Sequence, residues 1–198
     1  MNYVITIGRQ LGSGGKLTGQ RLAQRLDIPC YDKELIQIAA KESGLCKELF
    51  ERADETGRFT FAADYFYLAG NNPYFGAEAL FKIQSDVLRE LAEKSSCIFI
   101  GRCADYILRE HPRCLRVFVA AAMPDRIRRV ATELNISDKK AMAQIERIDK
   151  KRAEYYHFFS DKTWGMAASY DLCLNSSTIG IDEIASVIED AARRKFHI

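Results

Sequence analysis

Val4-Ile5-Thr6-Ile7-Gly8-Arg9-Gln10-Leu11-Gly12-Ser13-Gly14-Gly15-Lys16 runs from a β-branched stretch straight into a glycine-rich turn, and a helical pattern follows at Gly19, Leu22, Ala23 and Leu26. This order predicts strand, tight turn, helix. Small residues let backbone N–H groups converge on an anion, and the helix N-terminus adds the positive end of a dipole, about half a charge. The turn is therefore read as a phosphate site, with a ligand-free strand-to-helix turn as the alternative. The strict phosphate-loop pattern G-x-x-x-x-G-K-[ST] is not met: Gln10 stands where the first glycine belongs, and Leu17 where Ser or Thr belongs. The dinucleotide pattern G-x-G-x-x-G fails at Leu17 as well.

Outward from this turn, short apolar runs at 3–7, 28–31, 97–100, 115–120 and 172–174 alternate with helical periodicity. Short runs bounded by helices predict an α/β fold with a parallel sheet covered on both faces. Asp32 reads as the N-cap of a helix ending near Gly44, and Leu80, Ile83, Val87, Leu88 and Leu91 mark the helix before the third strand. Pro124 fits the first turn of a helix carrying Ile127, Val130 and Leu134. Ser137 caps the next, with an apolar face at Met142, Ile145 and Ile148, and the last runs from about 182 to 194.

The stretch 45–76 fits this scheme least. It holds seven aromatics between 59 and 75 and reads as a helical insertion whose rings build an acceptor pocket, a homodimer interface or ordinary core. No repeat or linker appears, so 1–198 is read as one domain, with an insertion at about 45–79 and a lid at about 137–165.

The net charge of +2 gives no global nucleic-acid or membrane signature. Charge is nevertheless uneven: nine Lys/Arg against four acids between Arg126 and Arg152 make that stretch +5. Nucleic-acid binding through it is a weaker reading, because acids interrupt the run. No apolar stretch approaches the ~20 residues of a membrane span, and the Met1-Asn2-Tyr3 start lacks the basic and apolar regions of a signal peptide. Six cysteines without a Cys-x-x-Cys pair read as reduced, buried thiols, so the expected setting is the cytoplasm. Three histidines, none at ligand spacing to a cysteine, argue against zinc, and no metal-ligating residue is assigned.

The chain resembles the cytidylate kinase-like family, a nucleoside-monophosphate-kinase branch of the P-loop NTPases. The resemblance rests on residues 5–15, Leu22-Ala23-Gln24-Arg25-Leu26, Tyr31-Asp32-Lys33-Glu34-Leu35-Ile36, Ile100-Gly101-Arg102-Cys103-Ala104-Asp105-Tyr106-Ile107-Leu108, Arg116-Val117-Phe118-Val119, residues 148–156 and Tyr170-Asp171-Leu172. It implies a three-layer sandwich around a five-stranded parallel sheet of order 2-3-1-4-5. It also implies a phosphotransferase using ATP and Mg²⁺, the metal bridging the phosphates, with a nucleotide or nucleotide-like acceptor. A non-catalytic nucleotide-binding protein is the alternative, motivated by Gly15 and Leu17.

With Leu22-Ala23 in register, Gly15 falls where those kinases carry their phosphate-binding lysine, Lys16 falls one residue late, and Leu17 replaces the metal-binding hydroxyl. The donor-phosphate set is then Arg9, Gly12, Ser13, Gly14, Gly15, Lys16, Leu17 and Thr18, with Arg9 and Lys16 sharing the lost charge and Thr18 lending a hydroxyl. The acceptor set is Asp32, Arg102, Asp105, Arg126 and Asp149. Asp105 is alternatively part of a solvated polar face. Arg152, Arg102 and Lys16 are the catalytic set. Asp149 and Arg152 match the D-x-x-R of the kinase lid, whose arginine neutralises charge on the transferring phosphoryl group. Tyr155, Tyr156 and Trp164 could stack on a base or pack in the core.

Overall fold

The computed structural model describes residues 2–32 and 73–198, with side chains from 81 onward in the second stretch. The helix expected after Asp32, Cys46 and nearly all of the aromatic insertion lie outside the described residues.

Five parallel strands lie in the order β2-β3-β1-β4-β5, as expected. They are β1 (Val4–Arg9), β2 (Cys30–Tyr31), β3 (Cys97–Ile100), β4 (Cys114–Ala120) and β5 (Leu172–Asn175). Ile7 of β1 pairs with Ile100 of β3, and Arg9 with Val119 of β4, so β1 is central and its carboxyl end opens onto the turn. Helices α1 (Gly15–Leu26), α2 (Pro73–Lys94), α3 (Ala104–Ile107), α4 (Met123–Leu134), α5 (Asp138–Ser160), α6 (Ser176–Ile179) and α7 (Ile181–Phe196), with a short 3-10 turn at Ala167–Ser169, complete the described elements.

Alternation along the strands sorts side chains between two cores. Ile5, Ile7, Ile98, Ile100, Val117 and Val119 pack with Leu22 of α1 and with Ile184, Ile188 and Phe196 of α7. Val4, Cys97 and Phe99 face the other way, onto Val87 and Leu88 of α2, Ile107 of α3 and Tyr156 of α5. Fully buried aliphatics of this kind stabilise by about 1.5–3 kcal/mol each. Helices on both faces are what a parallel sheet with two apolar sides requires.

A third, smaller cluster joins α4 and α5 through Val130, Ala141 and Ile145, with Leu11 of the glycine turn packed against it. Ser137 caps α5 by accepting from Lys140 N at 3.5 Å. The helix runs unbroken to Ser160, and it differs from expectation in that Met142, placed on the apolar face, is exposed while Ile145 is buried. Helix α2 begins at Pro73, so residues 73–79 continue into the helix expected from Leu80 onward.

Candidate functional site

The glycine turn is gripped from outside. Arg152 Nη1 donates to Arg9 O at 3.0 Å. Arg126 Nε donates to Leu11 O at 2.8 Å, and Asp149 Oδ1 accepts from Leu11 N at 2.9 Å. Arg126 and Asp149 are also paired to each other, Arg126 being 4% exposed. Arg129 Nη1 donates to Gly12 O at 3.0 Å, and Ser176 Oγ donates to Ser13 O at 2.7 Å. The closure of the turn onto α4 depends on Gly12. It sits at φ +74, and a Cβ there would stand 2.8 Å from Arg126 O, a backbone atom that cannot yield.

The basic stretch 126–152 is thus not one solvated face: three of its arginines reach inward to the turn. Helix α1 starts at Gly15, so its first-turn N–H groups have no partner four residues back within the helix. The Gly15 and Thr18 N–H groups are taken by Ser13 Oγ at 3.4 Å and Gly14 O at 2.9 Å, and those of Lys16 and Leu17 stand at the helix start, where an anion is met.

Arg9 fills the space beside Gly15. A Cβ on Gly15 would lie 2.5 Å from Arg9 Cβ and 3.1 Å from Arg9 Cγ. A Cβ on Gly101 would fall on the Arg9 guanidinium. The Arg9 side chain therefore runs from the end of β1, across Gly15, to the end of β3. Lys16 is instead turned to Asp32, 2.7 Å away, and remains exposed.

The hydroxyls near the turn are committed to its own backbone. Thr18 Oγ1 donates to Gly14 O at 3.2 Å and is buried, and Ser13 Oγ donates to Gln10 O at 2.9 Å. Leu17 is apolar and 41% exposed. Donation alone would leave the lone pairs of both hydroxyls for a metal, but Ser13 and Thr18 are fully buried, so neither fits direct ligation of Mg²⁺ at the turn, the role foreseen for Thr18. Among the described residues, no group of three or more His, Cys, Asp or Glu is arranged to hold a metal ion.

Arg102 follows β3 in the left-handed region, φ +62. Its Nε donates to Gln84 Oε1 at 2.6 Å, Gln84 Nε2 donates to Arg102 O at 3.1 Å, and the guanidinium lies 5.2 Å from the Tyr155 ring centre. Gln84 is buried and was not foreseen. Its signal was available: a polar residue among Leu80, Ile83, Val87 and Leu88 on the apolar face of a helix. Tyr155 packs edge-on to Phe81 and Phe159, Tyr156 is core, and Trp164 meets Phe118 edge-on.

Asp105 is 7% exposed and accepts from Tyr156 Oη at 2.7 Å, which overturns the solvated polar face as its alternative role. Burial raises its pKa, with the Tyr156 hydrogen bond opposing. A carboxyl with a raised folded-state pKa contributes stability below its unfolded value, lost as pH rises through the folded value. Asp105→Asn keeps an acceptor for Tyr156 and removes the charge. Urea denaturation at several pH values should show the variant gaining on the native protein as pH rises from about 4, then levelling. A stability gap independent of pH would contradict this.

Burial likewise pushes the thiol of Cys30 up to about 11, and those of Cys97 and Cys114 to about 12. Cys173 departs from the expected buried set, being exposed. Among the described residues no helix is long and apolar enough to cross a membrane.

Comparison with known proteins adds three findings. The sequence model of the cytidylate kinase-like family matches residues 4–178. A cytidylate kinase from Methanopyrus kandleri is 26% identical over 200 residues, covering 96% of this chain and 93% of that one. Among solved structures, an uncharacterized protein from Eubacterium ventriosum superposes with TM-score 0.76 at 25% identity, covering 96% and 98% of the two chains. Shikimate kinase from Bacteroides thetaiotaomicron does so with TM-score 0.56 at 14% identity, covering 96% and 97%, a likeness of fold.

Proposed function

The chain belongs to the cytidylate kinase-like family, and from that premise we propose that it transfers the γ-phosphoryl group of ATP to a nucleotide-like acceptor. The observation that carries this reading is the path of Arg9, which joins the glycine turn to the Gly101-Arg102 corner. It supports the reading because it lays a cation between the glycine turn and the corner that carries Arg102.

In this reading the backbone of residues 12–16 and the Lys16 side chain hold the donor phosphates, with Arg9 over Gly15. Asp32, at the carboxyl end of β2, faces the acceptor, and Arg102 grips its anionic group, the guanidinium fixed by Gln84 and Tyr155. Asp105, which the sequence had placed on the acceptor side, is buried against Tyr156 and takes no part in gripping the acceptor. An acceptor oxygen attacks the γ-phosphorus in line, the bond to the β–γ bridging oxygen breaks, and ADP leaves. The protein's share is positioning and charge stabilisation. Mg²⁺, carried in with the nucleotide, would supply neutralisation of phosphate charge. The described residues offer no loop hydroxyl for it, so no step above passes through it.

A second reading, a nucleotide-binding protein without turnover, is favoured by Leu17 and by the inward-turned Thr18 hydroxyl. A screen of ATP and Mg²⁺ against CMP, UMP, dCMP, AMP and GMP, with shikimate and gluconate as non-nucleotide controls, decides between them. We expect ADP to form only with a nucleotide, together with the matching diphosphate. ATP binding without acceptor-dependent ADP would leave the second reading.

A further inference from the structure

Side chains on α4, α5 and the β5–α6 junction hold three consecutive carbonyl groups of the turn: Leu11 O by Arg126, Gly12 O by Arg129 and Ser13 O by Ser176. All peptide bonds described are trans, so the C=O of one residue and the N–H of the next point in opposite directions. Drawing these carbonyls outward aims the N–H groups of Gly12 and Gly14 to the opposite, concave side. The Ser13 N–H shares that side but is bonded to Gln10 O at 3.3 Å.

A guanidinium on the oxygen end of a peptide also polarises the group. Arg126 on Leu11 O strengthens what the Gly12 N–H can donate. Arg129 on Gly12 O acts on the peptide whose Ser13 N–H is held by Gln10 O, so its share is to fix the backbone between Gly12 and Gly14 and to add its charge. Asp149 pins Arg126 in place and holds the Leu11 N–H, so the two arginines and one carboxylate leave one net positive charge behind the turn. Arg129 is held in turn by Ser176 Oγ at 3.0 Å.

We propose that Arg126 and Arg129 are positioning residues for the donor nucleotide, acting through peptide groups 11–13 rather than by touching phosphate. They supply from behind the turn part of the positive potential that a loop lysine brings from the front. The inference rests on the reading that this turn takes the donor phosphates. It reassigns Arg126 and Asp149 from the acceptor side, where the sequence had placed them, to the donor side.

Arg129→Gln removes the charge at similar length, and Arg129→Lys keeps a charged donor for Gly12 O. Two measurements are made on each: backbone amide ¹⁵N–¹H shifts of Gly12, Ser13 and Gly14 without ligand, the Ser13 amide being the partner of the carbonyl that Arg129 holds, and calorimetric affinities for ATP and, separately, CMP. Arg129→Gln should move the ligand-free amide shifts and weaken ATP by roughly ten-fold or more, as expected for a hydrogen bond to a charged group. CMP affinity should stay within two-fold, and Arg129→Lys should recover most of the ATP loss. Should Arg129→Gln fail to fold, Ser176→Ala tests the same device at Ser13 O, with the same sign and a smaller loss.

Unchanged ATP affinity overturns the proposal. Weakened ATP binding with unmoved ligand-free amides means direct phosphate contact and overturns it too, as does a lysine variant no better than glutamine. If ATP leaves the Gly12 and Gly14 amides of the native protein unmoved, the donor-site reading itself fails, and that result is read before any variant is made.

Discussion

Arg152→Ala should lower the phosphoryl-transfer kcat by roughly 10³-fold while changing ATP affinity by less than ten-fold. The size is that of an arginine which stabilises charge on a transferring phosphoryl group, about 10³–10⁵ in kcat. Arg152 lies on α5, three residues from Asp149, and its Nη1 holds Arg9 O at 3.0 Å. It is thus tethered at the point where the central strand meets the turn, beside the residue whose side chain crosses toward Arg102. Burial draws its pKa down, Asp149 opposing. Burial that lowers an arginine pKa is desolvation of the cation, and a desolvated cation acts more strongly on developing charge than one in water. Steady-state kinetics with ATP and the acceptor identified by the screen, together with ATP calorimetry, check this. A kcat within ten-fold of native would remove Arg152 from the chemistry and leave it a fastener of the Arg9 carbonyl. A comparable loss in ATP affinity would place it in donor binding instead.

The sheet was legible because its strands announce themselves in two ways at once. Residues 97–100 are apolar without a gap, which only a strand buried on both faces tolerates, and all four are buried. The strand order, by contrast, came from family resemblance, since an apolar run does not say which neighbour it pairs with. The length of helix α5 is likewise written in the sequence. No glycine or proline interrupts 138–160, and the charged positions 147–152 are compatible with a long half-exposed helix.

The site was legible in its residue types and not in its contacts. The turn, Arg9, Arg102, Arg126, Asp149 and Arg152 all stood out as charged or glycine positions at strand ends and on helix faces. Which carbonyl each arginine meets did not. Arg129 and Gly12 are separated by 117 positions, and Ser176 and Ser13 by 163. Such bonds depend on where α4 and β5 dock, and no local pattern encodes that. Gln84 sits between the two cases. Burial of a lone amide on an apolar face demands a partner, and that demand is visible in the sequence. That the partner is both the Nε and the carbonyl of Arg102 is visible only in three dimensions.

Arg9→Ala should lower kcat/KM by roughly 10²–10³-fold, the cost of removing one charged or oxyanion-stabilising donor from a preorganised site, and Gly15→Lys should restore part of that loss only when Arg9 is absent. The reasoning is spatial. The stem of Arg9 fills the space into which a side chain at Gly15 would leave the helix, with Val119 Cβ closing the other side at 3.3 Å from the hypothetical Cβ. Arginine at 9 and glycine at 15 are therefore two halves of one arrangement, and a lysine at 15 is excluded while the stem is there. Gly15→Lys alone should damage the turn and weaken ATP binding. In the double variant the stem is gone, and the lysine occupies the position at which the resembling kinases carry theirs. It then offers a single strongly hydrated ammonium in place of a planar fork, so recovery should be incomplete. A gain of ten-fold or more over Arg9→Ala, measured as kcat/KM for ATP, is the expected result. A double variant no better than Arg9→Ala would mean that the two positions do not exchange one function. An Arg9→Ala enzyme within three-fold of native would mean that the cation lying across Gly15 and Gly101 does not act on the donor phosphates, leaving Lys16 and the peptide groups of the turn to hold them.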